Sequence, residues 1–201
     1  MAAAADLFHA RSFEDVSTAE VCARAGVHPG SLYHFFPTKR ELGLAVLEHQ
    51  WHGMQDSVLV PLSAARAAPL DRLRGFLDAA VAYHCEGAAV GGTVRGCPVG
   101  NLAVELGTIC PEFQARSAAI FRAWSEAVTR VLEEAAARGE LRDGLDPEVG
   151  GLLVVSQVEG ALVLAKALND PAPLRAVTDA MLSLLGKPGA PRPASAAPNA
   201  P

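Results

Sequence analysis

Apolar residues recur along most of this chain at intervals of three and four, the spacing that places them on one face of an α-helix. No stretch alternates apolar and polar positions between turn residues, as a half-buried strand would. The pattern therefore predicts an all-α protein. The predicted helices cover residues 2–11, 17–25, 29–35, 38–56, 70–86, 98–106, 111–138, 147–168 and 172–186.

Local signals mark the ends of the first helices. Ser17 and Thr38 each precede a helix and are followed three residues later by Glu, which is the capping-box pattern. Gly26 stands where the helix from Ser17 must end, and Pro29 fits the first turn of the next helix. A helix, a short turn at a glycine and a short second helix form the helix-turn-helix arrangement, so this segment is predicted to bind DNA.

The stretch AGVHPGSLYHFFPTK, residues 25–39, predicts which side of the second helix faces outward. Leu32 and Phe36 are four residues apart and can bury together, which leaves the N-terminal end and the opposite side for base edges and phosphates. Packing of the exposed rings over a small core is the alternative interpretation. The candidate DNA contacts from this reasoning are His28, Pro29, Gly30, Ser31, Tyr33, His34 and Lys39.

The segment STAEVCARAGVHPGSLYHFFPTKRELGLAVLE resembles the DNA-binding segment of the TetR family of transcriptional regulators. The resemblance implies an all-helical homodimer with a three-helix DNA-binding head at residues 1–49 and a ligand-binding and dimerisation domain at residues 50–186. It implies a repressor that binds a palindromic DNA operator and responds to an unknown small-molecule effector. By position it also adds Ser17 and Thr18 to the candidate DNA contacts.

Two features depart from the usual family pattern. The chain starts at MAAAADLF, as if the first helix were short, and residues 1–52 hold four basic residues against six acidic ones. Because phosphate contacts depend on cations, we expect a phosphate affinity below the usual, or a basic N-terminal stretch absent from this sequence. Ser12 stands where members commonly have the glycine that closes the first helix.

Composition limits the remaining classes. The chain has 201 residues, half of them hydrophobic, and a formal net charge of −5. No signal peptide or membrane span is evident, which predicts a cytoplasmic protein. Its four cysteines show no zinc spacing and are predicted to be thiols, with no metal and no cofactor. Residues 187–201, rich in Pro and Ala, are predicted to be disordered.

The larger domain combines apolar helical stripes with scattered polar and aromatic residues, as a ligand pocket requires. His84 lies on such a stripe and can instead be an ordinary core histidine. The candidate ligand contacts are Trp51, Phe76, His84, Cys97, Asn101, Glu105, Phe121 and Trp124.

The stretch RGCPVGNLAVEL resembles a motif found in some TetR-type regulators, a few of which sense electrophiles through a cysteine near this place. Cys97 precedes a helix N-terminus, where free N–H groups favour a thiolate. Thiol-based sensing through Cys97 is therefore one alternative function, and a small buried cysteine with a structural role is the opposite interpretation.

The helix at 147–168 is apolar nearly all round, so burial on both sides is expected. Paired with the last helix and doubled across a two-fold axis, it would form a four-helix dimer interface, as the last two long helices do in the family. The candidate interface residues are Leu153, Gln157, Gly160, Ala161, Leu162, Leu164, Val177, Met181 and Leu185.

Two other classes of function remain to be compared with the residues. An enzyme would need a nucleophile with a base or a metal constellation, and the pairs His49 with His52 and His84 with Cys85 lack further ligands. The sequence therefore predicts no enzyme. A helical interaction protein with an impaired DNA-binding head is the remaining alternative.

Overall fold

A computed structural model describes residues 1–187, with the side chains of 85–91 left out. The described part is helical and holds no strand beyond one isolated bridge between Leu141 and Gly186, which confirms the predicted all-α class. Its α-helices are α1 (Ala2–Ala10), α2 (Thr18–Ala25), α3 (Pro29–Phe35), α4 (Lys39–Ser57), α5 (Pro69–Gly91), α6 (Pro98–Leu106), α7 (Pro111–Ala137), α8 (Pro147–Leu168) and α9 (Ala172–Leu185).

Each predicted helix is present, with two differences. A short 3₁₀ helix at Val60–Ser63 was not predicted. The helix α5 continues to Gly91 instead of ending near residue 86, although two glycines near its end lower the helix propensity there. It ends at Gly92, whose φ of 66° lies in the left-handed region that glycine adopts without strain. The predicted disordered tail, apart from Lys187, lies outside the described residues.

Aromatic rings join the N-terminal helices to the larger domain. The ring of Phe13 packs 5.2 Å from that of Phe8 and 5.7 Å from that of Phe113 on α7. A Cβ at Gly43 on α4 would lie 2.5 Å from the Phe13 ring and 2.8 Å from the Phe113 ring. Glycine at this position therefore lets both rings approach α4, which also packs against α1 and α6.

The helices α7, α8 and α9 pack side by side, and α5 covers α7 and α9. By length and composition, α8 is a helix that could cross a membrane. A core helix passes the same test, and one side of α8 is buried inside the protomer at Val154, Val158 and Leu162. The other side is exposed and apolar: Leu152 is 61 % exposed and Val163 63 %.

The two sides of α8 correct part of the predicted dimer interface. Ala161, Leu162, Met181 and Leu185 are at most 2 % exposed, because they face the core of their own protomer. Their assignment to the interface was therefore wrong. The other five candidates lie at the surface or partly so, and their role stays a prediction: Leu153, Gln157, Gly160, Leu164 and Val177.

Candidate nucleic-acid interface and ligand cavity

The turn between α2 and α3 is built from local hydrogen bonds. Gly26 has a φ of 65°, and the N–H of Val27 donates to the carbonyl of Cys22 at 3.0 Å, which closes α2. His28 caps α3, since its Nδ1 accepts the N–H of Gly30 at 3.2 Å. Pro29 occupies the first position of α3, where no N–H is required.

The predicted DNA contacts lie on exposed or half-exposed surface of this unit. The hydroxyls of Thr18 and Tyr33 lie 2.8 Å apart, so the start of α2 and the outer side of α3 adjoin. Ser17 completes a capping box, in which its hydroxyl accepts the N–H of Glu20 and its own N–H donates to the Glu20 carboxylate. Which of these residues contact DNA stays a prediction.

Phe35 is an exposed residue that is not among the predicted DNA contacts. It is 73 % exposed on α3, and its ring makes an edge contact with that of His34 at 5.1 Å. The same pattern that buries Leu32 and Phe36 leaves position 35 on the outer side of the helix, so the signal was present in the sequence. An exposed ring on a recognition helix suits apolar contact with thymine methyl groups.

The cations of the head have intramolecular partners. Lys39 donates to the carbonyl of Glu14 at 3.2 Å and lies 4.5 Å from the Phe13 ring centroid. Arg11, Arg24 and Arg40 form ion pairs with Glu20, Asp6 and Glu112 in turn. A phosphate contact by one of these side chains would therefore break its contact inside the protein. This agrees with the weak phosphate affinity expected from the acidic balance of residues 1–52.

A cavity of about 710 Å³ lies between the head and the larger domain. Its walls come from the end of α1, from residues 96–105, from Phe121 on α7 and from the C-terminal half of α8. Four of the candidate ligand contacts line it, namely Cys97, Asn101, Glu105 and Phe121. Three further residues of the wall were not predicted from the sequence, because long-range packing brings them to this place: Phe8, His9 and Glu159.

The other candidate ligand contacts belong to the core. Trp51, Phe76 and Trp124 are at most 5 % exposed, and the rings of Phe76 and Trp124 pack against each other at 6.1 Å. His84 is buried, which lowers its pKa to about 4 and keeps its ring neutral at neutral pH. None of the four lines the 710 Å³ cavity or a second groove of 520 Å³ between α7 and α8. Their contact with a ligand stays a prediction.

Hydrogen bonds tie the cavity walls to the head. The carboxylate of Glu105 on α6 accepts the N–H groups of Phe13 at 3.0 Å and of Glu14 at 2.8 Å. His9 on α1 bonds through Nε2 to the carbonyl of Gly96 at 2.9 Å. Glu105 thus joins α6 to the turn before α2.

Cys97 caps α6 through its thiol, which accepts the N–H of Gly100 at 3.3 Å. Burial raises the pKa of this thiol well above its ordinary value, and the nearby Glu159 raises it further. Hydrogen bonds from backbone N–H groups at the helix N-terminus lower the pKa, but by less than burial raises it. The expectation that the helix start favours a thiolate was therefore wrong.

Glu159 borders both cavities, and its Oε1 is buried without a hydrogen-bond partner. Burial raises the pKa of this carboxyl to about 6, although a bond with Cys97 opposes the shift. A Cβ at Gly100 would overlap Oε2 of Glu159, so glycine there allows the carboxyl to reach α6. Among the described residues, no group of three His, Cys, Asp or Glu could hold a metal ion.

Family comparisons match both halves of the chain. Residues 1–46 match the family described as bacterial regulatory proteins, tetR family. Residues 69–181 match the family described as tetracyclin repressor-like, C-terminal domain. The second match alone covers more than half of the chain, so the two together reach from the DNA-binding unit to α9.

Individual relatives agree with these matches. The transcriptional regulator AcuR of Cereibacter sphaeroides is 33 % identical over 171 residues, which cover 84 % of this chain and 75 % of AcuR. The transcriptional repressor DhaR of Mycobacterium sp. strain GP1 is 25 % identical over 84 % of this chain and 81 % of DhaR. A crystal structure of a regulatory protein TetR from Rhodobacter sphaeroides superposes with a TM-score of 0.82 at 30 % identity, covering 92 % of this chain and 95 % of that one.

Proposed function

Since the chain belongs to the TetR family of bacterial regulatory proteins, it is a DNA-binding transcriptional regulator, and we propose that it is a cytoplasmic, ligand-responsive repressor. It binds a palindromic operator as a homodimer, and occupation of the 710 Å³ cavity changes its operator affinity. The observation that carries this proposal is the bond pair from Glu105 to the N–H groups of Phe13 and Glu14, which links the cavity to the head.

In the proposed complex, α3 enters the major groove and its flanks contact the backbone. One of the adjoining hydroxyls of Thr18 and Tyr33 donates to the other, and the second can donate to a phosphate without any need for a free cation. Ser31 and His34 are exposed on α3 and can hydrogen-bond bases. Phe35 adds an apolar contact, since its ring is 73 % exposed.

Dimerisation is proposed through the outward sides of α8 and α9. Large apolar side chains are exposed there, including Leu152, Val163, Leu164 and Leu184. A set of this size on neighbouring helices is typical of an interface rather than of solvent-facing surface. To bind successive turns of one DNA face, the two copies of α3 in such a dimer must lie about 34–36 Å apart.

The proposed switch requires two arrangements of the head relative to the larger domain. The ligand must bind the chain with different affinity in these two arrangements. Phe8 and His9 of α1 share the cavity wall with α6, so a ligand that pushes α6 outward changes both contacts with the head. Operator affinity then falls by up to the ratio of two ligand affinities, the affinity for the altered arrangement over the affinity for the DNA-binding arrangement. Thiol-based sensing is the less favoured mechanism, because the Cys97 thiol is buried and its pKa is raised.

The proposal is tested by selecting DNA from a randomised pool with the purified chain. We expect enrichment of a palindrome whose half-sites are centred about one helical turn apart. The matched variant Tyr33→Phe removes one hydroxyl and should weaken binding of the selected site by roughly 3- to 10-fold. Failure to enrich any sequence, or enrichment of single half-sites by a monomer, would contradict the proposal.

A further inference from the structure

We propose that the cavity accepts a neutral, mainly apolar molecule carrying a hydroxyl group, and that this hydroxyl donates a hydrogen bond to Glu159. The inference rests on the proposed ligand-responsive function and names the chemical class of its effector. It is carried by the one buried polar atom of the described cavity wall that has no partner, Oε1 of Glu159.

Several other polar groups of the wall already have hydrogen-bond partners. Asn101 donates to the carbonyl of Arg95 at 2.8 Å and accepts from Lys166 at 3.2 Å. Glu105 accepts two backbone N–H groups of the head, and His9 bonds to the carbonyl of Gly96. A ligand therefore finds its free acceptor at Glu159.

The arrangement around Glu159 is built at a cost to the fold. Its carboxyl forms none of the ion pairs found among the described residues, although it is mostly buried. A buried carboxylate oxygen without a donor, as Oε1 is, is unfavourable, and a ligand that supplies the donor removes this penalty when it binds. Gly100 leaves the space that the carboxyl occupies beside α6.

The charges on the wall select a hydroxyl over a charged head group. An anionic ligand would be placed against the carboxylate of Glu159. A cationic one would enter beside Arg11 and Lys166 and would lose its own hydration. A hydroxyl donates one hydrogen bond and brings no charge. The apolar remainder of the ligand packs on Phe8 and Phe121, which lie on the same cavity wall.

Four probes that share one ring system test the inference in the absence of DNA. They are 2-methylnaphthalene, 2-naphthalenemethanol, 2-naphthylmethylamine and 2-naphthoate, and equilibrium dialysis gives the affinity of each. Wild type is compared with Glu159→Met, which keeps the length of the side chain without its oxygens, and with Glu133→Gln, an exposed carboxylate on α7 as a control.

We expect the ratio of alcohol to hydrocarbon affinity to fall by roughly tenfold or more in Glu159→Met and to stay unchanged in Glu133→Gln. The difference in hydration between the two probes is the same for wild type and variant, so it cancels when their ratios are compared. If Glu159→Met does not fold, Glu159→Gln replaces it and should lower the ratio several-fold, since a neutral amide is a weaker acceptor.

Three results would overturn the inference: an unchanged ratio in the folded Glu159 variant, equal binding of alcohol and hydrocarbon to wild type after correction for partition, or tightest binding of the amine. Any of them can occur while the wild-type chain still selects a palindrome. The proposed function fails separately, through the DNA selection, whatever the probes do.

Discussion

The head and the cavity satisfy their polar groups in different ways. In the head, Ser17 and Thr38 each pair with a glutamate three residues away, and the turn at Gly26 closes on its own helix. Around the cavity, Glu105 reaches backbone N–H groups more than ninety residues away in the chain, and Glu159 has one oxygen without a partner. The head is thus a locally defined unit for presenting α3, whereas the cavity wall depends on long-range contacts that a ligand can complete or disturb.

The largest effect is expected on the cavity side, where Leu162 is 1 % exposed in the core of α8. Leu162→Asp should lower the free energy of unfolding by at least about 4 kcal/mol, because a buried leucine is lost and a charge replaces it. The measurement is urea unfolding followed by far-UV circular dichroism.

Leu164→Asp is the matched control, two residues along α8 on its outer side, 54 % exposed. The protomer should remain folded, with the free energy of unfolding of its monomer within about 1 kcal/mol of wild type. Sedimentation should instead show a weakened dimer. Equal unfolding by the two variants would refute the assignment of the two sides of α8.

On the head side, two glycines with open space around them provide the comparison. Gly26→Ala should cost about 1 kcal/mol, because its φ of 65° disfavours a side chain, and should weaken operator binding by displacing α3. Gly53 lies inside α4, and nothing is within 4 Å of the Cβ that an alanine would add. Gly53→Ala should therefore raise the free energy of unfolding by about 0.5–1 kcal/mol. Thermal unfolding of both variants measures the contrast, and a shift of the same sign in both would contradict it.

A pH-dependent effect is expected at Glu159. Its pKa is about 6 in the folded chain against an ordinary 4.5, so the folded state favours the protonated form. The associated stability is present below pH 4.5 and is lost as the pH rises through about 6. Since one pKa unit corresponds to about 1.4 kcal/mol, Glu159→Gln should be more stable than wild type by up to about 2 kcal/mol at pH 8.

Urea unfolding at a series of pH values measures this effect. The advantage of Glu159→Gln over wild type should shrink steadily toward pH 4.5, where the wild-type carboxyl is protonated in the folded chain. An advantage independent of pH would mean that ionisation of this carboxyl is not its cause. Glu133→Gln, on the exposed side of α7, serves as the control and should show little change at any pH.

The same contrast explains what could be predicted from the sequence. The ends of α2, α3 and α4 were predictable because capping boxes, a left-handed glycine and a proline at the first helical position act within a few residues. The resemblance to a known family predicted the three-helix head and the order of the domains, which periodicity alone does not give.

The cavity was predicted only in part. Cys97 and Asn101 were expected to meet a ligand, but the sequence cannot show that α1 brings His9 to the same wall, since that contact spans 87 residues. Periodicity also could not decide which side of α8 faces the core, because both sides are apolar. Leu162 and Leu164 look alike in the sequence and differ only once α7 is packed against the helix.

Glu105 joins the cavity to the head, and the operator affinity of Glu105→Ala tests this link. Glu105 lies on α6, outside the DNA-binding unit, so we expect loss of its carboxylate to act on DNA binding through the N–H groups of Phe13 and Glu14. Glu133→Ala, with an exposed carboxylate on α7, is the control.

The affinity is measured by fluorescence anisotropy on the selected operator without ligand, together with amide hydrogen exchange at residues 13 and 14. We expect the folded, dimeric Glu105→Ala to bind the operator roughly 3- to 10-fold more weakly than wild type, since two charge-assisted hydrogen bonds are lost. The amide hydrogens of residues 13 and 14 should exchange faster for the same reason. Wild-type affinity together with unchanged protection of both amides would contradict this expectation.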